Sequence, residues 1–287
     1  MRDNKSLIVT VILTKNLSQH SGSFSKSKVT SYVKNLNNSP MFCDTRVTPN
    51  NTEIVLLTDV KNLNNKSFQN VNIVNVREKN YTLDALSKRF LLIEDYIRTR
   101  DDWTHAYMID ASDVVIFKRP PNSVNQLAVG VDTAKKWIRD VISHQNYRQS
   151  GELKGMLHSY SKIMYNAGIV GGSRANILHF LSDFRNRSLE HADLVGAMDM
   201  VYLNEYLVHT KKNLTLGYPH GPVHLPFWAV VRGCANQICR HNFIRKTMGY
   251  YWFGHKIPST WTDILKNEYF CQNIRPISST HQITEFL

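Results

Sequence analysis

The stretch Tyr107-Met108-Ile109-Asp110-Ala111-Ser112-Asp113-Val114-Val115-Ile116-Phe117 constrains the fold most tightly. An apolar run ends in one carboxylate, a second follows three residues on, and an apolar run resumes at once. Ala106 to Ile109 is too short and too uniformly apolar for an amphipathic helix, so it reads as a buried parallel strand walled on both faces. In an open α/β sheet, ligands sit beyond the carboxyl ends of such strands, where Asp110 and Asp113 emerge. Two carboxylates held together repel each other unless a cation, a proton or a basic side chain intervenes. A divalent metal carrying a phosphorylated ligand satisfies both, since magnesium and manganese take oxygen donors. Turn and cap chemistry is the plainer alternative for such a pair.

The chain around this stretch follows the same grammar. Leu7 to Leu13 reads as a buried strand, followed by a polar loop from Thr14 to Ser27 and a helix around Ser27 to Leu36. Glu53 to Asp59 reads as a second buried strand, and Val71 to Val76 alternates like a third near an edge. Thr82 to Arg100 is the clearest helix, with Leu83, Leu86, Phe90, Ile93 and Ile97 on one face. Thr82 and Asp84 suit its start, and Arg98 and Arg100 its end. Strand, helix, strand in this order predicts a parallel sheet. Past Pro120-Pro121 the spacing predicts a strand over Val124 to Val131 and a helix over Thr133 to Ile142. A glycine-bracketed strand follows over Tyr165 to Gly172, then helices over Ala175 to Arg185 and Ala197 to Leu207. From Pro219 the chain reads as loop-rich and aromatic. The expectation is one α/β domain over residues 1–287, with a nucleotide-binding half over about 6–125 and an acceptor half over about 126–260.

Charge and cysteine content narrow the partners. The formal charge of +12 calls for an anionic partner, but the basic residues are scattered, with no run or helical ladder of the kind a nucleic-acid surface needs. Phosphates of a nucleotide, an acidic membrane face or a glycan account for the sign as well. Cys43, Cys234, Cys239 and Cys271 lack C-x-x-C spacing, which argues against zinc. Cys234 and Cys239 could bridge a small loop in an oxidising compartment, and in the cytoplasm all four would be thiols. No stretch reaches the roughly 18 apolar residues of a membrane-spanning helix, and Met1 to Leu13 reads as a first strand rather than a signal peptide. N-x-S/T sequons, among them those at Asn16, Asn186 and Asn213, lean toward a secretory-pathway lumen without separating it from the cytoplasm.

Taken together, these landmarks resemble the GT-A class of nucleotide-sugar glycosyltransferases over about residues 6 to 260. Most members write the acidic metal motif D-x-D; here it is Asp110-x-x-Asp113, a spacing similar to that of the procollagen-type glycosyltransferases. Asn166-Ala167-Gly168 with Gly171-Gly172 resembles the N-A-G and G-G segment that lies beside the sugar pocket in many of these families. Asp199 matches the late acidic residue that follows it. His255-Lys256 resembles the C-terminal histidine that completes the metal site and the basic residue beside the diphosphate.

The resemblance implies a GT-A, Rossmann-like fold with a mostly parallel central sheet flanked by helices. It implies manganese, or magnesium, held by Asp110, Asp113 and His255, with His220 and His224 as alternatives to His255. The implied donor is a nucleoside-diphosphate sugar, a UDP-sugar by preference, and the implied acceptor a hydroxyl on a glycan or glycoconjugate. A metal bridging the leaving diphosphate would stabilise the charge that builds there, with Lys256 and Arg89 adding to it. Asp110 would alternatively touch the ribose, and Thr14 and Asp59, at the ends of the first two strands, would lie near the base. Asn166, Ala167, Gly168, Gly171 and Gly172 would line the sugar. Asp199 would be the general base of an inverting enzyme, or would hold a donor-sugar hydroxyl in a retaining one. The rivals are a non-catalytic GT-A-like binding module, a phosphatase of the haloacid-dehalogenase class, for which Ser112 occupies the second acidic place, and a nucleic-acid-binding protein supported by charge alone.

Overall fold

The computed structural model describes residues 5–14, 26–37, 39–43, 51–61, 63, 68, 70–76, 83, 85–110, 114–132, 164–190, 198–210, 213–218, 220–233, 236, 239–240, 242–243 and 250–256. Its strands are β1 (Ser6–Ile12), β2 (Thr52–Thr58), β3 (Val71–Asn75), β4 (His105–Ile109), β5 (Val114–Ile116), β6 (Leu127–Asp132), β7 (Met164–Ser173), β8 (Leu214–Leu216), β9 (His224–Pro226) and β10 (Phe253–His255). Its α-helices are α1 (Lys26–Asn37), α2 (Ala85–Arg98), α3 (Arg174–Glu190), α4 (Met198–Thr210) and α5 (Phe227–Gly233).

Seven strands form one sheet in the order β3-β2-β1-β4-β7-β6-β8. β1 to β4 run parallel, β7 lies antiparallel between β4 and β6, and β8 is parallel to β6. The sheet is therefore large, mixed and mostly parallel, flanked by helices in a Rossmann-like manner. β4 differs in one respect from expectation, because only its β1 edge is parallel. Its uniform burial comes from its central place, which covers both faces whichever way a neighbour runs.

Alternate residues of the strands feed two cores. Leu7, Val9, Val55, Leu57 and Met108 pack with α2, α3 and α4 on one face, while Ile8, Ile12, Ile54 and Leu56 pack with α1 on the other. This is the period of two expected of a strand covered on both sides. In α3 the inward positions are Ile177, Phe180, Leu181 and Phe184. Leu178 is only partly buried, and Phe180 sits inward with its ring set edge-on to Phe90 and Tyr206.

The order of crossovers positions the site. From β1 the chain moves outward through α1 to β2 and β3, then returns through α2 on the opposite face to β4, on the other side of β1. The carboxyl ends of β1 and β4 thus flank a topological switch point, the place where open α/β sheets form a crevice.

A second sheet, β5-β10-β9, adds short strands to the C-terminal part expected to be loop-rich. Its strands are three residues each, too short to leave a readable alternation. Asp113, the helix expected over Thr133 to Ile142, the Thr82 and Asp84 cap, and Cys234 lie outside the described residues. Cys239 is disulfide-bonded. Among the described residues, no helix is long and apolar enough to cross a membrane.

Candidate functional site at the sheet switch point

β4 and β7 stay paired up to Ile109 and Ile169, and the Asp110 N–H then donates to the Gly168 carbonyl at 2.9 Å. This bond places the Asp110 side chain over the Asn166-Ala167-Gly168 segment. The Gly168 N–H donates to Asn166 Oδ1 at 2.7 Å, which sets the orientation of that amide and leaves its Nδ2 hydrogens as donors. A Cβ on Gly168 would lie 2.7 Å from Asp110 Oδ2 and 2.8 Å from Asn166 Oδ1, so glycine is what lets these groups converge. Gly171 and Gly172 sit farther along β7, opposite Tyr107 and Ala106, away from the Asp110 end. A Cβ on Gly171 would collide with the Tyr107 ring, and one on Gly172 with the Gln126 carbonyl. Their lack of side chains answers to packing within the sheet.

Arg89 comes from α2 on the face opposite α1. Its guanidinium pairs with Asp110 Oδ1 through Nη1, while Nη2 reaches Asp199 Oδ2 at 2.8 Å and donates to the Ala167 carbonyl at 3.0 Å. Asp199, in the first turn of α4, is buried, and its other oxygen accepts the Met200 N–H at 2.8 Å. The sequence calls for a cation, a proton or a basic side chain between the carboxylates of Asp110 and Asp113, and Asp113 lies outside the described residues. In the structure a guanidinium stands between Asp110 and Asp199, residues on elements 89 positions apart.

The second sheet brings two histidines toward this cluster. His224 on β9 and His255 on β10 are both buried, with ring centroids 5.8 Å apart. Burial pushes His224 down to about 3, helped by His255. Burial likewise pushes His255 down to about 3, helped by the positive charges of Lys256 and Arg89. Both imidazoles are therefore neutral in the physiological range, and His255 lies close enough to Arg89 to feel its charge. The Val131 N–H donates to His224 Nδ1 at 3.4 Å, which assigns the His224 proton to Nε2. That Nε2 has no hydrogen-bond partner among the described residues. His220, the other alternative, is exposed. In register, His255 pairs with Val114, the residue that follows Asp113 in the chain. Lys256, exposed, follows in a left-handed conformation with φ of 56°.

At the carboxyl ends of β1 and β2, Thr14 and Asp59 close on each other. The Thr14 N–H reaches Asp59 Oδ1 at 2.8 Å, and its hydroxyl lies 3.0 Å from each carboxylate oxygen. The two residues picked as strand ends beside a base thus form one unit at the switch point.

For a metal, the described donors supply part of a set. His255 is neutral, the form in which imidazole ligates, and Asp110 brings a carboxylate whose Oδ2 lies beside Gly168. Among the described residues, no group of three His, Cys, Asp or Glu side chains is placed to hold an ion; Asp113 is not among them. Sequence reasoning passed over Asn204, whose amide bonds the backbone of β7. An Asn between Leu203 and Glu205 on a helix whose neighbours are mostly apolar is the signal that could have flagged it, because a buried amide needs partners. Compared in sequence with family models and with curated proteins, the chain matches none.

Proposed function

We propose that this chain is a metal-dependent glycosyltransferase that moves a sugar from a nucleoside-diphosphate sugar, a UDP-sugar by preference, to a hydroxyl on a glycan or related acceptor. The observation that carries the reading is the convergence at the switch point of Asp110, Arg89, Asp199 and the Asn166–Gly168 backbone, with His255 close by. Thr14 and Asp59 would meet the nucleoside, and Lys256 the diphosphate. Asp110, Asp113 and His255 would hold manganese or magnesium, which supplies Lewis-acid stabilisation of the departing diphosphate. Asp199 is held in a fixed orientation, with Arg89 on Oδ2 and the Met200 N–H on Oδ1. That favours Asp199 as an acceptor for a donor-sugar hydroxyl over the role of general base.

A non-catalytic sugar-nucleotide or glycan-binding module is the second reading. It is favoured by Arg89, which already pairs with both Asp110 and Asp199 without a metal. Incubation with a panel of nucleotide sugars, with manganese or with chelator, separates the two by the nucleoside diphosphate released. Release that needs metal and vanishes in Asp113→Ala supports the transferase. Binding unchanged by chelator, with no release from any donor, sinks it in favour of the module.

A further inference from the structure

We propose that Asn204 is a positioning residue whose carboxamide stands in for a missing neighbouring strand and so holds the Asn166-Ala167-Gly168 segment at the site. β7 outruns β4: their register ends at Ile109 and Ile169, and among the described residues the Asp110 N–H to Gly168 carbonyl bond is the last along that edge. On its other edge the register with β6 jumps from Val129–Val170 to Gly130–Asn166, so residues 167–169 face no β6 partner. A segment leaving two ladders at once exposes peptide groups that must be paired elsewhere.

Side chains from α2 and α4 do the pairing. Asn204, buried at 2 % exposure, accepts the Tyr165 N–H at 3.0 Å and donates from Nδ2 to the Tyr165 carbonyl at 3.0 Å. This is the double bond pattern a neighbouring strand would make to one residue of an antiparallel ladder. Val131, the β6 register partner of Tyr165, turns its own N–H to His224, consistent with Tyr165 facing away from β6. The same Nδ2 also donates to the Met200 carbonyl one turn back in α4 at 2.6 Å, which ties the amide to the helix that carries Asp199. Met200 Sδ receives the Ala167 N–H at 3.1 Å, and Arg89 takes the Ala167 carbonyl. Asn204 thus couples the backbone of the sugar-lining segment to the helix of Asp199 without touching either reacting partner.

What the segment binds rests on the glycosyltransferase reading; how it is held does not. The test therefore uses two readouts on the full chain with Asn204→Leu, which removes both bonds, and Asn204→Asp, which keeps only the acceptor. By hydrogen exchange, amides in 164–168 are expected to exchange about tenfold faster in Asn204→Leu, with a smaller change in Asn204→Asp and none at β1 or β2. In turnover of a UDP-sugar with manganese, kcat is expected to fall by about tenfold to a hundredfold, while affinity for UDP with manganese stays within about twofold. Unchanged exchange over 164–168, or acceleration spread evenly over α4 and β7, overturns the positioning role, as does wild-type kcat in a variant whose exchange has changed. If wild-type protein releases no nucleoside diphosphate from any donor, the transferase reading falls, and exchange over 164–168 still decides Asn204. Should Asn204→Leu fail to fold, Asn204→Asp carries the same comparison.

Discussion

At the scale of single residues, the site depends on charges that would be costly alone. Arg89 and Asp199 are both largely withdrawn from water, so each stabilises the other mainly by cancelling a desolvation penalty. Arg89→Ala removes the counter-charge and is expected to cost about 3–5 kcal/mol in urea denaturation, whereas the double variant Arg89→Met/Asp199→Leu is expected to cost less than Arg89→Ala. A double variant no more stable than the single would show that the pair is not the source of the effect. Gly168→Ala is a different kind of change. Its new methyl meets Asp110 and Asn166 directly, so under the proposed function turnover is expected to drop by about a hundredfold with little change in melting temperature. A Gly168→Ala protein as active as wild type would mean that the convergence of these side chains is not used.

At the scale of elements, the opposite end of the sheet shows how strands and helices are tied together away from the site. Glu53 at the start of β2 receives Arg100, just past α2, at 2.8 and 3.1 Å, and Asn72 of β3 at 2.8 Å; Lys5 pairs with it at 2.5 Å. Burial pushes the Glu53 carboxyl up, but the hydrogen bonds from Arg100, Lys5 and Asn72 outweigh it and hold it at about 2. The folded state therefore keeps this group ionised, while the unfolded chain takes up a proton below its ordinary value of 4.5. The stabilisation is complete above that value and is lost as pH falls from there toward 2. Glu53→Gln is expected to cost about 1.5–3 kcal/mol near neutral pH and to flatten the decline of stability over that acidic window. Equal acid sensitivity in both proteins would contradict it.

At the scale of the whole molecule, the small sheet has to be built before two histidines can be buried beside the large one. In the folded, metal-free protein His224 and His255 stay neutral down to about 3, against an ordinary value of 6.5. The unfolded chain binds those protons first, so the contribution is complete above 6.5 and is lost as pH falls through that value toward 3. Unfolding free energies from urea melts in chelator are expected to drop between pH 7 and 5, with a slope of at most about 1.4 kcal/mol per pH unit for each histidine, and the midpoints with them. His224→Gln is expected to make the slope shallower, and a midpoint insensitive to pH over this range would show that the rings are solvated.

Much of this molecule was legible before any coordinates. β1, β2, β4 and β7 announced themselves as apolar runs, and α2 and α4 by their spacing, because burial in a two-faced sheet writes a local pattern into the chain. Asp110, Thr14 and Asp59 could be picked as strand-end residues for the same reason. The second sheet could not, since three-residue strands leave no period to read. Nor could the partners of Arg89 be named: its contacts lie 21, 78 and 110 residues downstream, and nothing local distinguishes a guanidinium that bridges two acids from one that rests on the surface. The sequence alone determined which segments must be buried and which polar groups would emerge at their ends. Only tertiary structure decided which of those groups meet, because pairing of buried charges depends on distance in space and on the water excluded between them.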